Sequence, residues 1–257
     1  MTEPQPSPHA PRPPARKASV VAAVAATALA KAKWAFVALK SLSLGKLLLT
    51  SGSMLAMIWF EAMRYGWAYG VGFVLLIFIH EMGHAVAIRH AGLAAGYPVF
   101  IPFFGAMISL KGQPRSPKEE ARIALAGPIA GAAASAACAG IFLLTHQRLF
   151  LALAYGGFFL NLFNMIPMPP LDGGRAAAVF SKQAWWIGLV VLAGLFLVTR
   201  TPQLLLIGIF AAMNGFRSAT HHVETTPEVR REVAASYFGL CVFLALGAHL
   251  THQVLSE

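Results

Sequence analysis

His80-Glu81-Met82-Gly83-His84 combines residue types and spacing that could do chemistry. Read as helix, the two histidines lie about 40° apart in projection and one turn apart in height, so both imidazoles can reach one ion. Glu81 then sits about 100° around the helix, beside them. Two neutral imidazoles at this spacing suit zinc, and a neighbouring carboxylate can take a proton from water that the ion activates. The run that leads in, Gly72-Phe73-Val74-Leu75-Leu76-Ile77-Phe78-Ile79, is apolar throughout. Ionisable groups at the end of such a run are costly unless paired, ligated or neutralised, which favours a metal site over a solvated helix face.

A catalytic zinc keeps three protein ligands and an open position, so the pair needs a partner. Acidic residues are few. Glu3 and Glu257 lie in the tails, Glu119, Glu120, Glu224, Glu228 and Glu232 in charged segments, and Glu61 toward the opposite membrane face. Asp172, the sole aspartate, follows Asn164-Met165-Ile166-Pro167-Met168-Pro169-Pro170-Leu171 and precedes Gly173-Gly174-Arg175. Prolines open a helix and the glycines permit a tight turn, so a broken membrane segment can present this carboxylate inward. The alternative is a cytosolic loop with an Asx-turn at Asp172. His90 is a rival ligand, completing H-E-x-x-H-x-x-G-x-x-H except that Ala87 stands at the glycine. Without that glycine the helix should continue and carry His90 away from the pair.

The elements that must position these groups are those of a membrane protein. Of 257 residues, 57% are hydrophobic and 12% charged, with a mean hydropathy of +0.64. Soluble domains carry about 25% charged residues. The net charge of +10 is therefore read as membrane sidedness and not as a nucleic-acid partner. Charge-poor runs fall near 47–62, 66–88, 123–145, 149–166, 183–199, 201–216 and 233–252. The fold class expected is all-α and polytopic, with about six or seven transmembrane helices. The fourth run reaches spanning length only by continuing toward Leu171.

With the N-terminus cytosolic, only Arg64, Arg148 and Arg200 fall on the far side, and all other Lys and Arg lie inside. Residues 1–46 read as a Pro- and Ala-rich basic tail, partly disordered or interfacial, although Ala28-Leu29-Ala30 could be taken for a cleavage site. Residues 47–257 form the membrane domain. Within it, Tyr97–Leu110 is too apolar for cytosol and too broken by Pro98 and Pro102 to span. It is expected to be an extended or hairpin segment dipping into the bilayer, the alternative being an interfacial loop. Cys138 and Cys241 read as small core residues.

His80–His84 and Asn164…Pro167…Leu171-Asp172-Gly173-Gly174, in this order on separate membrane segments, resemble the two signatures of the site-2 protease family of intramembrane zinc metalloproteases. The resemblance covers about residues 66–182. It implies one Zn2+ per chain held by His80, His84 and Asp172, with Glu81 as catalytic base and Asn164 orienting substrate or steadying the reacting carbonyl. It makes Tyr97–Leu110 the family's re-entrant β element, with Phe100, Ile101, Phe103 and Gly105 as substrate contacts. Gly127 and Pro128 of Ala126-Gly127-Pro128-Ile129-Ala130-Gly131 join them, close helix packing being the alternative for that motif. No PDZ-like insert is expected between spans separated by His146-Gln147-Arg148, and no regulatory domain after Glu257.

The implied function is hydrolysis of peptide bonds within or beside a transmembrane segment of a membrane-protein substrate, in the plasma or inner membrane. Rival expectations are a membrane zinc transporter and an inactive relative that binds membrane proteins without cutting them. None of these features specifies an oligomeric state.

Overall fold

The computed structural model describes residues 43–101, 105–168, 170–180, 184–199, 208–209 and 225–257. The expectations for the tail up to residue 42, for Phe103 and for most of the 201–216 run lie outside these residues. The chain divides into two compact units, Met1–Leu48 and Leu49–Glu257. The described part of the first is the opening of helix α1 (Ser43–Tyr65).

In the second unit α1 continues and is followed by α2 (Trp67–His90), strands β1 (Ala94–Ile101) and β2 (Gly105–Lys111), α3 (Pro117–Thr145), α4 (Arg148–Asn164), α5 (Asp172–Ala177), α6 (Ala184–Thr199) and α7 (Pro227–Ser256). The architecture is mostly helical. Its boundaries follow from local chemistry. Gly66, at φ 88°, breaks α1 from α2, a conformation a side chain would resist. Ser116 caps α3 by accepting from the Glu119 amide, with Pro117 at the first helical position and Glu119 and Glu120 in the first turn. Thr226 and Pro227 open α7 in the same way. Between α3 and α4 only His146 and Gln147 intervene.

Three described helices, α2, α3 and α7, are long and apolar enough to cross a membrane, with mean hydropathies of 1.9, 1.7 and 1.8 over their most apolar stretch. Large apolar side chains face outward along them, among them Leu75, Leu143, Leu144, Phe238 and Leu246. Such exposure is costly in water and neutral against hydrocarbon, and the chain is an integral membrane protein. The fourth span differs from its expectation, because α4 stops at Asn164 and does not run on toward Leu171. The Met165 and Ile166 amides close a tightened last turn onto Asn161, Leu162 and Phe163, and Pro167 cannot continue the ladder.

The core packs α3, α4 and α7 together through Ala124, Leu125, Ala154, Phe158, Tyr237 and Leu244. Cys138 and Cys241 pack half-buried against it. Tyr237 donates its hydroxyl to the Met165 carbonyl, tying α7 to the turn after α4. At one end, Lys118 and Arg122 of α3 pair with Glu232 of α7.

Strands β1 and β2 pair antiparallel, with Ile101 opposite Gly105, Phe100 opposite Ala106 and Pro98 opposite Ile108. Pro98 has no N–H for the ladder, and the register shifts between Ala95 and Pro98. The outer edge of β1 is met by side chains of α1. Thr50 Oγ1 donates to the Pro98 carbonyl at 2.7 Å, and the Phe100 amide donates to Ser53 Oγ at 3.1 Å.

Candidate metal centre

Helix α2 carries His80, Glu81 and His84, all buried although they sit on an apolar span. It comes close to α3 because Gly83 has no side chain; a Cβ there would strike the Ala126 carbonyl and the Ala130 methyl. Gly127, one turn of α3 below Gly131, opens the space His84 fills. A Cβ on Gly127 would fall on Nε2, Cε1 and Cδ2 of that imidazole. His84 Nδ1 in turn lies 2.8 Å from the Ile123 carbonyl of the same helix. A carbonyl only accepts, so Nδ1 carries the proton and the Nε2 lone pair points inward.

The third donor arrives from 88 residues further along the chain. The turn after α4 doubles back, and α5 starts at Asp172 itself. Gly173 is needed at this point, since a Cβ would run into the Met165 and Ile166 carbonyls. Asp172 is buried. Its Oδ2 lies 3.1 Å from His80 Nε2 and 3.1 Å from His84 Nε2, and the two Nε2 atoms are 3.2 Å apart. Arg175, one turn on, donates through Nε to Glu120 Oε1 of α3 at 2.7 Å, and its other guanidinium nitrogen lies 3.9 Å from Asp172 Oδ1. This anchors α5 to α3 at the carboxylate.

The donor triangle fits a tetrahedral ion. Bonds of about 2.0–2.2 Å at tetrahedral angles set donors roughly 3.3–3.5 Å apart, close to the spacing here. The chemistry agrees with the geometry. With Nδ1 of His84 protonated, its Nε2 offers a lone pair toward a carboxylate oxygen and a second imidazole nitrogen. Buried acceptors so gathered, with no proton to share, repel unless a cation lies among them. Among the described residues His80, His84 and Asp172 are the group of three that could hold a metal ion. A buried two-histidine, one-carboxylate group with an adjacent glutamate, its two histidines on a helix long enough to span, has the donor set that a hydrolytic metal centre requires.

The other expected residues are distributed differently. His90 ends α2 exposed, as the uninterrupted helix requires, and is not in the cluster. Asn164 closes α4 half-buried, one turn beyond Asn161. Gly127 lacks the side chain that would fill the space of His84, and Pro128 beside it is buried in α3. Phe100 is 2% exposed, packed among Met57, Val74 and Ile77. Ile101 and Gly105 close the hairpin opposite one another.

Sequence reasoning missed Asn161 altogether. It is fully buried, and its Oδ1 lies 2.8 Å from His80 Nδ1. The signal available was a lone amide inside the apolar stretch Phe158-Phe159-Leu160-Asn161-Leu162-Phe163, where an unpaired polar group is costly.

Residues 68–147 match the family model described as Peptidase family M50. A zinc metalloprotease of Mycobacterium tuberculosis, Rip3, is 31% identical over 126 residues, which cover 44% of this chain and 32% of that protein, and the same match is found in strains Erdman and H37Rv. The chain thus spans about a third of the length of the curated relative it matches. Among solved structures, the Site-2 Protease from Methanocaldococcus jannaschii aligns at 18% identity and a TM-score of 0.44, covering 67% of this chain and 89% of that one. Over residues 68–147 the chain is thus similar to the zinc metalloproteases of Peptidase family M50. The donor set built above fits one zinc ion per chain.

Proposed function

We propose that this protein is an intramembrane zinc metalloprotease that hydrolyses peptide bonds within or next to a transmembrane segment of membrane-protein substrates. The observation that carries the reading is the convergence of His80, His84 and Asp172 within 3.2 Å of one another in the interior, with Glu81 buried alongside. Zinc held there would supply Lewis-acid polarisation of the scissile carbonyl and lower the pKa of the attacking water. Glu81 accepts that water's proton and returns it to the departing amine, which balances the hydrolysis: water adds across the C–N bond and an acid and an amine leave. Asn164, at the end of α4, is assigned to the substrate's carbonyl. Water must reach the centre through an opening near the kink at Pro167–Gly174.

A helical substrate hides its carbonyls in hydrogen bonds, so the target must become extended. The 94–111 hairpin supports recognition by strand addition, in which main-chain bonds hold the substrate and side chains of any type can follow. In the orientation we assign, the N-terminus is cytosolic, residues 1–46 form a basic tail, and six or seven helices cross a plasma or inner membrane. A transport reading needs ligand sets strung across several helices, and among the described residues the three-residue group above is the one such set.

The test is cleavage of a transmembrane peptide carrying a helix-breaking stretch, with purified protein in vesicles, comparing wild type with Glu81→Gln. Wild type should cut and the variant should keep its zinc without cutting. Zinc uptake by the vesicles, or equal cleavage by both proteins, would overturn the reading.

A further inference from the structure

Asn161 does more than fill space between helices. Its Nδ2 lies 2.7 Å from the Gly157 carbonyl one turn back in α4, and a carbonyl can only accept. That contact fixes the amide's orientation, so Oδ1 faces His80 Nδ1 at 2.8 Å and the imidazole must donate. The chain Gly157 carbonyl, Asn161 amide, His80 Nδ1–H therefore leaves the Nε2 lone pair of His80 aimed at the ion position. His84 has the same orientation imposed by a backbone carbonyl, that of Ile123, which no substitution removes. His80 depends on a side chain 81 positions away.

A second observation points the same way. Gly131 of α3 faces the Asn161 side chain, and a Cβ there would overlap Oδ1, Nδ2 and Cγ. Gly127 and Gly131, one turn apart, thus each clear the space of one component of the centre: the His84 ring and the amide that steers His80.

We propose that Asn161 is a positioning residue that sets the tautomer and aim of His80 and thereby metal affinity, with Gly131 as the gap that admits it. The inference rests on the metal reading of His80, His84 and Asp172. Outer partners of metal-bound histidines are worth about 10- to 100-fold in affinity when lost.

The test is zinc affinity of the full chain in detergent, by competition with a chromophoric chelator, with Co2+ absorption reporting coordination. Asn161→Leu, close in size and without an acceptor, should bind about 10- to 100-fold more weakly. Asn161→Asp, which keeps an acceptor for Nδ1–H although its second oxygen then faces the Gly157 carbonyl, should bind more tightly than Asn161→Leu. Gly131→Ala should weaken binding in the same direction as Asn161→Leu. A purely structural role would make Asp and Leu equally damaging, because both disturb the packing. Equal loss in both, or wild-type affinity in Asn161→Leu, overturns the inference. Absence of zinc binding by wild type itself overturns the metal reading, and the inference with it, so the two failures are distinguishable.

Discussion

Gly127→Ala reverses the usual sign of a helix substitution. Replacing glycine by alanine inside a helix ordinarily stabilises by about 0.5–1 kcal/mol, because glycine has more backbone freedom to lose. At position 127 the added methyl lands on three atoms of the His84 imidazole. That ring cannot swing aside freely, since its Nδ1 is bound to the Ile123 carbonyl at 2.8 Å and its Nε2 faces the other donors. Forcing a methylene-sized group into a packed interior costs about 1–3 kcal/mol. Setting the two against each other leaves a net penalty of roughly 0.5–2 kcal/mol. If the ring gives way and the helices do not, the same energy appears as a roughly 2- to 30-fold loss of zinc affinity. Gly140→Ala, on the same helix with nothing within 4 Å of its added Cβ, is the control. The assay is chelator competition together with thermal unfolding of metal-free protein. Gly127→Ala should lose affinity, stability or both, while Gly140→Ala should lose neither. Indistinguishable behaviour of the two variants would refute the packing argument.

Glu81→Gln should retain zinc and lower the cleavage rate by about 10²–10⁴-fold, measured as single-turnover product formation, because the proton acceptor is gone and the ligands are not. Asp172→Asn keeps the shape but removes the ligand charge, so zinc affinity should fall more than in Gly127→Ala by the same competition assay. Gly173→Ala drives a methyl into the Met165 carbonyl, a backbone atom with little room to yield, and should displace Asp172. It should cost about 1–3 kcal/mol in unfolding and release zinc. Removing zinc should lower the melting temperature reversibly, since a ligand at 100 times its Kd stabilises by about 2.7 kcal/mol.

Much of the centre is legible in the sequence because helical spacing pairs His80 with His84 and because one aspartate alone follows a proline-broken segment. The hairpin was readable from Pro98 and Pro102 inside an apolar stretch. What stayed hidden depends on which helix faces which. Gly127 and Gly131 look like a packing motif until α3 is laid against α2 and α4, when each proves to clear one side chain. Asn161 looks like an isolated polar residue until His80, 81 positions earlier, is brought to it. The end of α4 at Asn164 was missed because hydropathy continues past it, whereas the backbone obeys Pro167. The burial of Phe100 against Met57 and Val74 was not legible, because it depends on the hairpin being laid against α1 and α2.

The central claim is that His80, His84 and Asp172 share one ion, and X-ray absorption at the zinc edge tests it most directly. The spectrum of purified protein should show one zinc per chain, two imidazole nitrogens among its ligands and no sulfur. Zinc should be lost from the His80→Ala/His84→Ala double variant. Zinc that persists in that variant, or a first shell without imidazole, would contradict the account.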